Sequence, residues 1–526
     1  MTDSPNRPNG RTAHPPPRPA VIEAVRLQEA GRLAEAEQAY VAALRADPGD
    51  FYALHQLGLI CCARKAYADA VLLLATAVER RPDSPDALCN LAVALRGLNR
   101  DAEALAACDA AIAMAPDHAA AHHNRGNALS GLDRPEEAEA AHARALALDP
   151  DNAEALYGRG NALRELRRFD EAMACYAKAL TLAPGRADIR FNVALLQLLT
   201  GRLAEGFAGY AARLAKPEFA ELRDRFAAPA WQGEEPVAGR TVLLHPEQGA
   251  GDTLQFLRYA PLLAERGARV ICAVTAPLKP IVDSLAGLAI TVVVWDRTAP
   301  PAHDLHCPYL SLPAAFGTTL ETIPARVPYL VPPADRVAAL AARLATGAGG
   351  QGGGEGGGKG VAREPARERR GGPRLRVGLV WAGNPGFAND RHRSIPLSTL
   401  APLLALDGVQ FVSLQKELRP EDETVLERCP QLLRLGETLR DFADTAAAIA
   451  ALDLVISVDT AVAHLAGAMG HKVFILLPFS SDWRWLSGRP DSPWYPTATL
   501  FRQPRIGDWT SIAGAVRDAV QGLATP

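Results

Sequence analysis

Through the first 215 residues apolar side chains recur at helical spacing, and the whole pattern repeats every 34 residues. Pro48, Pro82, Pro116, Pro150 and Pro184 mark the period. Two series of alanines keep the same step, Ala36, Ala70, Ala104, Ala138 and Ala172 with Ala43, Ala77, Ala111, Ala145 and Ala179; between them stand Tyr40, Leu74, Cys108, His142 and Tyr176. This spacing predicts two antiparallel helices per unit. The alanines let them approach, one larger side chain fills the gap, and the proline ends the second helix. Gly58, Gly126 and Gly160 take the close-contact point on the first helix, with Ala24 and Ala92 there in other units. A sixth, decayed unit is expected at FNVALLQLLTGRLAEGFAGYAARLA, where Gly206 and Tyr210 keep the spacing. From Arg240 the apolar residues gather instead into short runs: RTVLLHP, ARVICAVTA and AITVVVW, then RLRVGLVWAG, VQFVSLQK, LDLVISVDT and HKVFILLP. Such runs alternating with helical stretches predict βαβ units and parallel sheets.

The 34-residue unit resembles the tetratricopeptide repeat, which stacks into a curved array with a concave face. Asn90, Asn124 and Asn192 recur at one repeat position, and Asn127 and Asn161 at another. Such amides either bind the backbone of an extended protein acceptor or bond within the repeats. The expected organisation is a polar, proline-rich tail (1–16), a helical array (17–215), a connector (216–239), a first Rossmann-like half (240–343), a Gly-rich flexible linker (344–373) and a second Rossmann-like half (374–526).

Composition narrows the functions. The formal charge is only −3, so no basic excess argues for a nucleic-acid partner. Eight cysteines contain no CxxC pair, and no apolar run has the length of a membrane span; with no signal-like apolar segment at the start, a soluble cytoplasmic protein is expected. His303, His306 and Cys307 fall close together but lack a further ligand in register, so no metal is expected.

Ligands of open parallel sheets bind beyond the carboxyl ends of the strands. Three strand ends stand out. In LLHPEQGAGDTLQF, Gly249 and Gly251 allow close backbone approach and Asp252 is placed as an N-cap. In VWAGNPGFANDRHRSIPL, a long loop carries Arg391, His392, Arg393 and Ser394 ahead of a helix expected to start at Pro396; such clustered arginines either suit a pyrophosphate or are solvated loop residues. In VISVDTAVAHLAGAMG, the first N–H groups of a helix and the Thr460 hydroxyl can hold an anion. Asp459 caps the helix or takes a ligand hydroxyl, and His464 follows one turn later. Trp483, Trp485, Trp494 and Tyr495 either stack on a sugar or base or pack a long loop.

GAGDTLQF followed by VDTAVAHLAGAMG resembles the bacterial heptosyltransferase family, nucleotide-sugar enzymes of the GT-B type with two facing Rossmann domains. The likeness covers roughly residues 240–526. It implies Asp252 as the base that takes the acceptor proton, and Asp459, Thr460 and Ala461 as the turn that holds the donor diphosphate, with Arg393 nearest to a phosphate-contacting basic residue. Ala461 stands where the family has Gly. The tandem with repeats also resembles bacterial protein glycosyltransferases, including those that modify flagellin, in which residues such as Gln415 and Lys416 face the nucleotide. The resemblance therefore implies an inverting glycosyltransferase with a nucleotide-sugar donor, a protein acceptor on the repeats and no further cofactor. Transfer to a glycan or lipopolysaccharide, and a non-catalytic repeat scaffold, are the alternatives.

Overall fold

The computed structural model describes residues 16, 18–216, 219–223, 225–287, 289–345, 375–387 and 389–524. Nearly all of the expected tail and Gly-rich linker lies outside them. The chain forms two compact units, Met1–Gly185 and Arg186–Pro526.

The first unit is five antiparallel helix pairs: Pro19–Glu29 with Leu33–Ala46, Phe51–Ala63 with Tyr67–Arg80, Pro85–Gly97 with Asp101–Met114, Ala119–Gly131 with Pro135–Leu148, and Ala153–Glu165 with Phe169–Leu182. The small-against-large pairing expected from the sequence is how each pair closes. A Cβ on Gly58 would sit 2.6 Å from Leu74, one on Gly126 2.6 Å from His142, and one on Gly160 2.5 Å from Tyr176. The tight turn inside each pair needs a left-handed residue, and Gly31, Lys65, Asn99, Asp133 and Arg167 all have φ between 58° and 75°.

His142 is the exception to an otherwise apolar seam. It is fully buried, and among the described residues neither ring nitrogen has a partner. Burial lowers its pKa to about 3, helped by His123, Arg96 and Arg159. A neutral buried imidazole stabilises the fold above its unfolded pKa of ~6.5 and progressively less as pH falls toward the folded value. Between pH 7 and 5 that loss is about 2 kcal/mol. His142→Leu, which copies Leu74 in the second pair, should flatten the acid dependence of the urea midpoint by that amount and leave the pH 7 fold intact.

The second unit begins with the sixth helical pair, Ala187–Leu199 and Leu203–Tyr210, which belongs with the sheets of this unit and not with the five earlier pairs. Two parallel sheets come next. The first contains β1 (Thr241–His245), β2 (Arg269–Val274), β3 (Ile290–Val294) and β4 (Leu305–Pro308) in the order β3-β2-β1-β4. The second contains β5 (Leu375–Val380), β6 (Val409–Ser413), β7 (Leu433–Arg434), β8 (Leu454–Val458), β9 (Val473–Leu477) and β10 (Ala498–Arg502) in the order β10-β9-β8-β5-β6-β7. All pairings between these strands are parallel, for example Leu243 against Ile271 and Leu379 against Ile456. β8 and β9 are buried along their whole length, as their apolar runs, interrupted only by Ser457 in β8, lead one to expect. Part of the expected connector joins the first sheet: the Trp231 N–H donates to the His306 carbonyl at 2.8 Å, and Trp231 is buried. Among the described residues no helix is long and apolar enough to cross a membrane.

Candidate functional site

Strand order locates the crevices. In the first sheet the chain reverses direction of addition between β1 and β4, and in the second between β5 and β8. Turns leaving β1, β5 and β8 therefore open at the topological switch points, where parallel sheets bind ligands. These are the turns that carry Asp252, Arg393 and Asp459.

After β1 the helix Ala250–Phe256 starts with Gly249, in extended backbone, as its N-cap. Asp252 is therefore not the N-cap expected from the sequence. It is the third helical residue, and its Oδ2 reaches back to accept from the Gly249 N–H at 2.9 Å. Its other oxygen accepts from Arg484 Nη2 at 2.5 Å. After β8, Thr460 caps the helix Ala461–Ala468 in extended backbone, and its hydroxyl pairs with Ser457 at 2.9 Å. The two helices meet where Gly251 faces His464, and a Cβ on Gly251 would lie 2.9 Å from His464 Cδ2. His464 Nδ1 is 2.9 Å from the Tyr495 hydroxyl, its Nε2 is 3.8 Å from Asp459 Oδ1, and its ring stacks on Trp485.

Arg391, His392 and Arg393 occupy a short helix, Asp390–Arg393, instead of an open loop; Pro396 caps the next helix, Leu397–Leu404. Asp390 organises the segment. It accepts from Arg393 Nε at 3.2 Å and Ser394 Oγ at 3.0 Å, and it pairs with Arg419. Arg393 Nη1 then donates to the Asp459 carbonyl at 3.2 Å, which brings the β5 and β8 turns together. Ser394 is buried and accepts from the Gly383 N–H. Gln415 is buried as well, and its amide is spent on the backbone of Trp381, Ala382 and Glu417. Lys416, next to it, is exposed.

The repeat asparagines bond inside the array. Asn90 Nδ2 is 2.8 Å from His55 Nε2, Asn124 donates to Cys89, Asn127 lies 2.9 Å from His123, and Asn161 accepts from the Tyr176 hydroxyl. All four are half-buried, as is Asn192 in the helix Ala187–Leu199. His306 and His303 lie among aromatic rings, with Phe226 stacked on His306 and His306 Nδ1 3.1 Å from His245 Nε2.

Sequence reasoning missed the charge at the centre of the crevice. Arg484, in the turn Trp483–Trp485, bonds Asp252 across 232 residues and also bonds Asp482, with its guanidinium over the Trp483 ring. Burial works against this cation, yet Asp482 and Asp252 outweigh it and hold its pKa above the ordinary value. Burial raises the Asp252 carboxyl, Asp482 adds to the rise, and Arg484 opposes it. Asp459 is raised by the same pair of causes, burial and then Asp482, against Arg484, the Trp485 side chain and Arg393. His464 is held neutral by burial and by Arg484, Arg258 and Arg393 around it. The crevice thus holds two carboxylates of heightened basicity, a permanent cation and a neutral imidazole, beside a helix start whose first N–H groups face no intrahelical acceptor.

A tetratricopeptide-repeat family model matches residues 23–85, 67–119, 123–187 and 162–221, so the helical pairs are tetratricopeptide repeats. Protein FlbA of Caulobacter vibrioides is 27% identical over 363 residues, covering 64% of this chain and 55% of that protein. The chain thus spans about half the length of this relative, and the matched share exceeds the repeats and runs into the second unit. Among solved structures, a thermophilic tetratricopeptide-repeat protein of Thermus thermophilus is 29% identical over 34% of this chain and 98% of its own, at a TM-score of 0.30. The type IV pilus biogenesis factor PilW is 22% identical over 39% of this chain and 96% of its own, at a TM-score of 0.35.

The contact at Gly251 gives a direct test of the crevice. Gly251→Ala should force the two helices apart, lower the melting temperature in keeping with a cost of about 1–3 kcal/mol, and weaken, by calorimetry, the binding of the pyrophosphate that the sequence leads one to expect at these turns. Unchanged melting and binding would mean that the helices are free to separate.

Proposed function

We propose that the chain is an inverting glycosyltransferase of the GT-B type, moving a sugar from a nucleotide-sugar donor to a hydroxyl of a protein engaged by the repeats. The observation that carries this reading is the convergence of three switch-point turns, those of Asp252, Arg393 and Asp459, on one crevice between two parallel sheets. The donor diphosphate lies at the start of the helix Ala461–Ala468, against its free N–H groups and Arg393. Arg484 faces the same crevice, and its charge offsets the negative charge that grows on the leaving diphosphate. Lys416, exposed in the turn that follows β6, is assigned to the nucleotide.

Asp252 is the base. Each of its oxygens accepts one hydrogen bond and keeps a free lone pair, and burial raises its proton affinity, so it takes the proton of the acceptor hydroxyl as that oxygen attacks the anomeric carbon. Asp459 takes a ligand hydroxyl, and neutral His464 stands behind it as a hydrogen-bonding group without charge.

Incubation with a panel of nucleotide sugars and whole-cell lysate should label one macromolecule, and a protein is expected. Asp252→Asn should cut transfer by roughly 10²- to 10⁴-fold while pyrophosphate affinity survives. Transfer at near the parent rate would move the base elsewhere. A chain starting at Arg186 keeps the whole second unit, so it should hydrolyse or bind donor as the parent does and lose transfer to the protein. Equal transfer to that acceptor by the shortened chain would remove the acceptor role of the five repeats.

A further inference from the structure

The sixth helical pair carries two contacts that the mechanism above does not use. Arg213, in the single turn Ala211–Ala215 after the helix Leu203–Tyr210, is 1% exposed. Its Nε and Nη2 donate to the two oxygens of Glu247 at 2.8 and 3.1 Å, Nη2 also reaches Ser311 Oγ at 2.7 Å, and Nη1 donates to the Tyr210 carbonyl at 3.1 Å. The Glu247 side chain is fully buried, and it sits in the loop that leads from β1 to Asp252.

An ion pair this deep adds little stability over an apolar pair of the same volume, because desolvation consumes most of the attraction. What a two-pronged guanidinium–carboxylate contact does supply is orientation. The second contact acts on the opposite wall. Phe207 and Tyr210 place their rings 5.5 and 5.9 Å from Trp483, whose own ring carries the Arg484 guanidinium at 4.3 Å. Leu199, at the end of the preceding helix, accepts from the Ser487 N–H at 2.9 Å and fixes the far side of the same turn. The contacts close on themselves: Arg213 to Glu247, along the loop to Asp252, across to Arg484, onto Trp483, back to Tyr210 and to Arg213.

We propose that the sixth helical pair is a built-in part of the site, and that Arg213 is a positioning residue that aligns Asp252 with Arg484 through Glu247 and Tyr210. The inference rests on the reading of Asp252 as the base. It departs from the role of the other five repeats, since this pair works on the crevice and not on the acceptor.

The test uses the full chain with Arg213→Lys, which keeps the charge and loses the fork, and with Arg213→Met/Glu247→Met, which leaves no buried charge unpaired. Both variants should melt near the parent and still bind inorganic pyrophosphate. Transfer should fall at least tenfold. In chains labelled with ¹³C at the aspartate carboxyls, Asp252 should titrate about one pH unit higher than in the parent, because Arg484 no longer faces it squarely. A folded variant in which Asp252 titrates as in the parent overturns the proposal, whatever the turnover. If the double variant does not fold, Arg213→Lys decides alone by the same titration. A parent chain that transfers no sugar from any donor would sink the glycosyltransferase reading instead, and the carboxyl titration would still judge the alignment.

Discussion

The close approach of two helix starts governs the second unit. Gly251 lets the helix after β1 lie against His464 in the helix after β8, and any side chain at 251 would occupy the imidazole's space. That contact brings the switch points of two separate sheets face to face. The approach is locked from the side by Arg258, which donates to the Trp494 and Gln255 carbonyls at 2.7 Å each and to the Tyr329 hydroxyl at 3.1 Å. The Tyr329 N–H in turn donates to the carbonyl of Ala468, at the end of the His464 helix. A crevice held this way is formed before any ligand arrives, which spares the cost of ordering it on binding.

Its charge follows from the geometry. Asp252 and Asp482 pair with one buried guanidinium, Asp459 feels its charge, and Arg393 bonds the Asp459 carbonyl. Carboxylates alone would repel a diphosphate; with Arg484 among them the centre is partly neutralised, and burial keeps both Asp252 and Asp459 ready to take a proton. Asp252 and Arg484 are thus kept in contact, so changes at one are felt at the other.

Much of this was legible in the sequence where the cause is local. The 34-residue period was visible because each pair repeats the same contact, a Gly or Ala against one larger residue sixteen positions on, as in Gly58 with Leu74 and Gly160 with Tyr176. β8 and β9 announced themselves as apolar runs, with Ser457 their one polar residue. What stayed hidden depends on distant partners. Arg484 carried no signal among the aromatic residues around it, since its partner Asp252 is 232 residues away. Asp252 read as an N-cap because the helix start is shifted by the backbone of Gly249, which no periodicity records. Gln415 had the residue type of a ligand contact, but its amide closes a backbone gap beside Trp381. The sixth pair looked like the last of a series, while its Phe207, Tyr210 and Arg213 face the sheets.

The proposed function requires an anionic nucleotide in the crevice between the helices Ala250–Phe256 and Ala461–Ala468. Hydrogen exchange with and without a nucleoside diphosphate reads that occupancy, scanning UDP, GDP and ADP. Slowed exchange is expected at residues 458–464 and 389–394 with one of them, and no change across residues 19–185. Protection confined to the repeats, or none in the crevice with any nucleotide, would contradict it.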